Sequence, residues 1–462
     1  MENLDNTATE ELFPPNKARN RLVSLLIFIA IILSFIFYFF PFQNYFTKTQ
    51  TLTKVYFADN ITSAHLKIIK LFNEKYKGKI EVIPIDFNYE KFTTNKRKEL
   101  ITRSMRSRSG RIDIFSVDQI WIPRFAKWAE PLSKYFTHNE LDSIIIPAYK
   151  TCIYDSVLYG IPLFMDLGIM YYRKDLIEKL PGSQELIDSI KNGITWEKLI
   201  SLKNKFPSSY EYLFQGRAYE GLICNFLELL MGNGENVSKT DLLGLENPKI
   251  VNSFQVMVDL INKYNITPRA ALDMDEAASF RYAIKNNIPF LRGWPTMYKL
   301  VNLSPKDSVK LKYLGIAPTP HFKGHESYST LGGWNLMVSR YSEAKEAAVT
   351  FIKFTLSKEA QEILYSEGEY LPIIKSFYDD PELIKKYPRL TYYKELINNQ
   401  IQRPLLERYT KISDILAYYL NKALMNDISV EDAMFKAENQ IKEVLDSKDD
   451  YSKITKIELE ER

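Results

Sequence analysis

Two cysteines occur in 462 residues. That is too few for a disulfide-dense scaffold or for a zinc site with four thiolate ligands. Four histidines, His65, His138, His321 and His325, are scattered along the chain. His321 and His325 stand at i and i+4, but no helix is predicted there to aim them together, and no metal is expected. No HExxH, CxxC, GxSxG or GxxxxGK[ST] occurs, so the usual zincin, thiol-redox, nucleophile-elbow and P-loop chemistries have no carrier. Glycine (17) and proline (21) are too sparse for a collagen-like or low-complexity chain. A dominant charge is missing too: 61 basic against 57 acidic residues leave +4. A nucleic-acid partner requires a concentrated basic face, and none is expected. There is no internal repeat.

What the chain does hold is a normal globular balance, 45% hydrophobic and 26% charged, with 13% aromatics. The length suits two to three domains. The aromatic surplus fits a core, and equally a cleft that stacks sugars.

Leu22–Phe40 reads LVSLLIFIAIILSFIFYFF, nineteen residues without a charge. As a helix it spans about 28 Å, close to the hydrocarbon core of a bilayer. Lys17, Arg19 and Arg21 precede it, and the next basic residue is Lys48. By the positive-inside rule residues 1–21 face the cytoplasm, and the chain beyond the anchor (22–41) and a linker (42–53) is exported to the cell-membrane exterior. No small-x-small site and no lipobox cysteine follows the run, so a retained signal anchor fits better than a cleaved signal peptide. Residues 22 onward carry a net charge of +5, a mild surplus that suits a neutral ligand.

The exported part alternates β-rich runs with helical periods. LTKVYFADN, KIEVIPIDF and RIDIFSVD read as strands. Between them lie a helix led by Ser63 and closed near Gly78, and a basic amphipathic helix over Lys91–Ser107. This order predicts an α/β fold with a largely parallel sheet. Later helices are expected at Ser342–Leu356, Ser357–Glu367, Ile412–Met425 and Val430–Leu445, with Ser342 and Ser357 as caps.

Seven phrases then recur in a fixed order: IDIFSVDQIWIPRFAKWAEPL (112–132), YGIPLFMDLGIMYYRKDL (159–176), FQGRAYEGLICNFLE (214–228), LRGWPTMY (291–298), TLGGWNLMVS (330–339), EGEYLPIIKSFYDDP (367–381) and RPLLERYTKISDIL (403–416). Over residues 54–445 the chain resembles the family 1 bacterial extracellular solute-binding proteins, of the maltose/trehalose-binding type. The resemblance implies a two-lobed periplasmic-binding-protein-like fold of class II type, preceded here by the transmembrane helix. Lobe 1 would hold residues 54–165 with 316–372, and lobe 2 residues 166–315 with 373–450, followed by a tail (451–462). A sugar cleft lies between such lobes.

A sugar presents apolar C–H faces and a rim of hydroxyls, so its site wants aromatic plates with carboxylate, amide and guanidinium partners. Asp118 ends a strand, at the edge where α/β clefts open; the alternative is a helix N-cap. By the resemblance, Phe164 and Asp166 in PLFMD, Trp294 in GWP, Gly333 and Trp334 in GGW, and Arg403 in RP face the ligand. For Arg403 a plain salt bridge is the alternative. Asn60, Tyr219, Glu220 and Tyr370 form a second tier. Trp121, Trp128 and Trp196 are assigned to packing. Met165 and Leu163 depart from the family's small polar and aromatic residues, which bears on which sugar is bound. The resembled relatives carry cysteine at both Cys152 and Cys224, which implies a disulfide; two buried thiols are the alternative.

The resulting expectation is a membrane-tethered, extracytoplasmic sugar-binding protein of an ABC importer, not an enzyme and without a cofactor. It would deliver a di- or oligosaccharide to permease subunits. A membrane-anchored sugar sensor acting through a partner is one alternative. A glycosidase using two of Asp118, Asp166 and Glu220 is the other.

Overall fold

The first strand forms where β-branched and aromatic residues alternate toward a buried face. β1 (Thr53–Asp59) pairs in parallel with β2 (Ile80–Asp86) and β3 (Ile114–Asp118). The structure is a computed structural model and describes residues 17–39, 51–88, 91–92, 94–240 and 242–446. The expected tail up to residue 16, most of the linker and the C-terminal tail lie outside these residues.

Residues 1–52 and 53–462 are separate units. In the first, a helix runs over Lys17–Phe39, and its side chains from Arg21 to Ile36 are exposed. Side chains are described without a break only over that shorter stretch. Counted on described residues, no helix is long and apolar enough to cross a membrane.

The described residues of the second unit form two main sheets and a two-stranded one. A small hairpin, β4 (Ile153–Tyr154) and β5 (Val157–Leu158), precedes the long strand β6 (Ile161–Leu167). The single residue Gly168 joins β6 to β7 (Ile169–Arg173). Next come β8 (Tyr212–Leu213), β9 (Phe290–Gly293) and β10 (Leu314–Ala317), then β11 (Ser329–Val338) and β12 (Gln400–Ile401). The first sheet has the order β12-β11-β3-β1-β2, with β6 also on β11; the second is β10-β7-β9-β8. β11 runs antiparallel to β3 and β6, and β7 antiparallel to β9 and β10. The expected parallel order therefore holds for β1–β3, joined by helices, for β8 with β9 and for β11 with β12, and not for the remaining pairs.

The first sheet is covered by the helices Ser63–Lys75 and Lys345–Thr355, whose Phe72 and Phe351 pack at 5.1 Å, with Phe57 5.5 Å from Phe351. Fully burying each such ring is worth about 1.5–3 kcal/mol. The second sheet lies against the helices Glu220–Met231, Pro248–Asn262, Tyr409–Leu424 and Val430–Asp446, through Phe226 and Phe254 among others.

Two caps differ from expectation. Thr62, not Ser63, caps the first of these helices. The Ser342 hydroxyl is a close partner of Asp113, so the helix it was expected to start begins at Lys345. Ser357 does cap its helix, accepting from Ala360 N–H at 3.3 Å. The disulfide is not formed: Cys152 and Cys224 are free, buried thiols. Cys152 packs under the first sheet beside Ala148 and Thr151, whereas Cys224 sits on the helix Glu220–Met231, where its carbonyl accepts from the Thr330 hydroxyl at 3.0 Å. Burial pushes both thiols up, away from reactivity.

Candidate functional site

Register assembles the site. In β11 Trp334 stands opposite Asp118 of β3 on one side and Phe164 of β6 on the other. Directly paired residues share a sheet face, so the acid and the two rings form one transverse row. Two residues along, on that same face, Gly332 stands opposite Asp166. Gly333, between them, has φ +140°, and a Cβ there would come within 2.6 Å of the Phe164 carbonyl oxygen. Only glycine permits that approach. Gly332 makes room for Trp294, whose ring would meet a Cβ at 3.0 Å. Tyr370 completes the aromatic floor, its ring centre 4.2 Å from that of Phe164. Trp294 and Trp334 are half-buried, each keeping part of its ring open.

The polar side of the site is an ion-pair triad. Arg403, 3% exposed, donates from Nη2 to Asp118 at 2.8 Å and from Nη1 to Glu220 at 2.9 Å. Glu220 opens the helix Glu220–Met231 and also accepts from the Tyr409 hydroxyl at 2.8 Å and closely from Ser413. Burial raises Glu220 above the usual carboxylate range while Arg403 opposes that rise. Asp118 also caps the short turn after β3, accepting from Ile120 N–H at 3.2 Å. Both alternatives for these residues, cap and salt bridge, are thus realised, and both residues still border the aromatic row.

Two second-tier residues stand at element ends, Tyr219 before the helix Glu220–Met231 and Asn60 after β1. Tyr219 folds back over Gly221, where a Cβ would lie within 2.2 Å of its hydroxyl. Asn60 lies past the end of β1, its N–H 2.6 Å from Asp59 Oδ1. Trp121 and Trp196 are buried and pack as expected, on Trp334 and Tyr212. Among the described residues no cluster of His, Cys, Asp and Glu could hold a metal ion.

The family model described as Bacterial extracellular solute-binding protein matches residues 58–362. The chain belongs to that family. A curated relative in Deinococcus radiodurans, "Probable ABC transporter-binding protein", is 24% identical, with 75% of this chain and 83% of the relative covered. Among solved structures, maltose-bound MalE3 of T. maritima superposes with a TM-score of 0.75 at 28% identity, covering 85% of this chain and 100% of that one. The cyclic α-maltosyl-1,6-maltose binding protein of Arthrobacter globiformis gives 0.68 at 21% identity, with 85% and 98% covered. These relatives are solute-binding proteins rather than enzymes, and their likeness confirms the two-lobed α/β fold.

In this solute-binding protein several groups at the site carry no sequence signal of their own. Asp59 holds Arg97 at 2.7 Å, with His65 Nε2 at 3.4 Å from its other oxygen. His65 Nδ1 accepts from Thr62 N–H at 3.3 Å, and its Nε2 faces Asp59 without a hydrogen bond. Burial works against the Asp59 charge, but His65 and Arg97 hold its pKa below the usual range. Glu228 and Arg292 form a second buried pair next to Gly168.

Asp166 has the opposite balance. It is 9% exposed and accepts from the Thr296 hydroxyl at 2.9 Å and from Leu167 N–H at 3.2 Å. Burial lifts it to about 8; Arg292 pulls it down and Glu369 pushes it up. Between an ordinary aspartate pKa near 4 and 8 the folded state holds the proton and the unfolded chain does not. Asp166 therefore lowers stability as pH rises through that window, with no penalty below it. Asp166→Asn is expected to flatten the fall in melting temperature between pH 5 and 8. An unchanged slope in the variant would show that Asp166 is ionised throughout.

Proposed function

We propose that this protein captures a di- or oligosaccharide in the cleft between its lobes and delivers it to the permease subunits of an ABC importer. The row Asp118–Trp334–Phe164, with Trp294 and Asp166 one step along the same face, carries this reading. It offers apolar plates and hydroxyl acceptors side by side, which is what a sugar ring demands. Arg403 and Glu220 bring donor and acceptor groups to its margin. The bound maltose of the T. maritima relative supports the ligand class.

Lobe 1 is built on the first sheet and lobe 2 on the second. We set the lobe boundaries at Gly168, at the connection 318–328 and at the segment after β12, which the pairing of β6, β10 and β12 supports. Chain 373–401 stays with the first sheet, through Lys358–Asp380, Lys386–Glu362 and β12 on β11. The N-terminal helix tethers the protein to the outer face of the cytoplasmic membrane. Supporting this are the uncharged run Leu22–Phe40 of the sequence and the exposed Leu, Ile and Phe side chains between Leu22 and Ile36.

A thermal-shift panel of maltose, maltotriose, trehalose and arabinobiose on the full chain in detergent tests the reading. A ligand at a hundred times its Kd adds about 2.7 kcal/mol. Trp294→Ala and Trp334→Ala are each expected to weaken calorimetric affinity about 10–100-fold, the value of about 1.5–3 kcal/mol of lost ring burial. Unaltered affinity in both would remove the cleft assignment, and hydrolysis products in the panel would make the protein a glycosidase. Release from membranes by alkaline carbonate would refute the anchor.

A further inference from the structure

Both cleft tryptophans carry the same backing. The guanidinium carbon of Arg97 lies 4.0 Å from the centre of the Trp334 ring, and that of Arg292 lies 4.1 Å from the Trp294 ring. Each guanidinium is held by a buried carboxylate from another element. Asp59 is 2.7 Å from Arg97, and Glu228 is 2.6 and 3.0 Å from Arg292. Each ring also has a second restraint. Trp121 stands edge-on to Trp334, at 5.7 Å and 88°, and Trp294 rests on Gly332. A carboxylate–guanidinium–indole stack is thus built twice, from different parts of the chain. Both arginines are buried and paired with their carboxylates, and each keeps one buried N–H, Arg97 Nε and Arg292 Nη1, without a hydrogen-bond partner among the described residues. A planar guanidinium matches the face of an indole, where a lysine ammonium does not.

We propose that Arg97 and Arg292 are positioning residues, each covering one face of its tryptophan and fixing the ring as a one-faced platform. The two platforms fit consecutive rings of one ligand. Trp334 and Gly332, under Trp294, lie on one face of β11, about 6.8 Å apart along the strand, a step comparable to that between adjacent rings of a disaccharide. A ring fixed before binding has little rotamer freedom left to lose. The ligand half of this inference rests on the sugar reading above; the positioning half does not.

The test uses the full chain in detergent, labelled with 5-fluorotryptophan and followed by fluorine NMR. Five signals are expected from the five tryptophans, that of Trp334 being the one lost in Trp334→Phe. Arg97→Lys keeps the charge but not the planar cover. It is expected to shift and broaden the Trp334 signal, to leave Trp128 and Trp196 in place, and to weaken maltotriose binding about tenfold. In a Trp334→Ala background the same change is expected to alter affinity less than twofold. A Trp334 signal that does not move, or an equal loss in both backgrounds, would overturn the positioning role. Asp59→Asn with Arg97→Met removes both charges together and repeats the test if Arg97→Lys does not fold. Should no sugar of the panel move any signal, the sugar reading fails, while the effect of Arg97 on the Trp334 signal still decides the positioning role.

Discussion

Replacing Arg292 by methionine is expected to cost about 3–5 kcal/mol of folding stability, the range for removing one partner of a buried ion pair. The side chains of Arg292 and Glu228 are 1% and 5% exposed, and they meet through two hydrogen bonds. With the guanidinium gone, Glu228 keeps one backbone donor among the described residues, Thr330 N–H at 3.2 Å, and little water. Its charge would be left in a low-dielectric site. The reference experiment is urea unfolding of Arg292→Met and of Arg292→Met with Glu228→Leu. The double variant is expected to recover most of the loss, because the desolvation cost disappears with both charges. A single variant within about 1 kcal/mol of the parent would mean that the pair is hydrated.

Arg403→Met is the second large effect, expected at about 3 kcal/mol near neutral pH. Asp118 and Glu220 then face each other with no cation between them. Their side chains are 14% and 21% exposed, so water softens the repulsion and the lower end of the range applies. Glu220 is already raised by burial, and Arg403 is the main group opposing that rise. Without it the carboxyl takes up a proton at higher pH in the folded state than in the unfolded chain. Such a group stabilises less as pH rises through its folded pKa. The variant should therefore regain stability between pH 7 and 5, where the parent shows a smaller change. A deficit that is flat with pH would mean that Glu220 stays charged and is paired elsewhere. Sugar affinity is expected to fall as well, since the triad borders the aromatic row.

Much of the site is legible in the sequence one residue at a time. Asp118, Phe164, Asp166 and Trp334 each fall in a motif, and the register of β11 brings them to one sheet face, where Trp294 meets them at Gly332. Gly333 was legible for a reason of its own, since its backbone must pass the Phe164 carbonyl. What sequence could not supply is the set of partners behind them. Arg97 lies in the stretch TNKRKELITRSMR, whose dense charge reads as a solvated helix face. Its burial depends on Asp59, thirty-eight residues earlier, which looks like an ordinary strand end. Glu228 and Arg292 are likewise separated by 64 residues; each stands inside a quoted phrase, FQGRAYEGLICNFLE and LRGWPTMY, but nothing in either phrase pairs it with the other. The free cysteines make the same point: two thiols in an exported domain suggest a bond, but whether they meet is decided by packing. Helix starts were legible where a serine had no rival, as at Ser357. They were not where a carboxylate claimed it, as Asp113 claims Ser342.

Glu228 also touches both early passages between the sheets. Its Oε1 accepts from Thr330 at the start of β11 and leaves no space for a Cβ on Gly168, while Gly168 N–H donates to the Thr330 carbonyl at 3.0 Å. The two passages are therefore clamped side by side and share any load, as springs mounted in parallel do. Their stiffnesses add, and slack in one alone transfers the strain to the other. A change at the shared carboxylate removes a contact from both together.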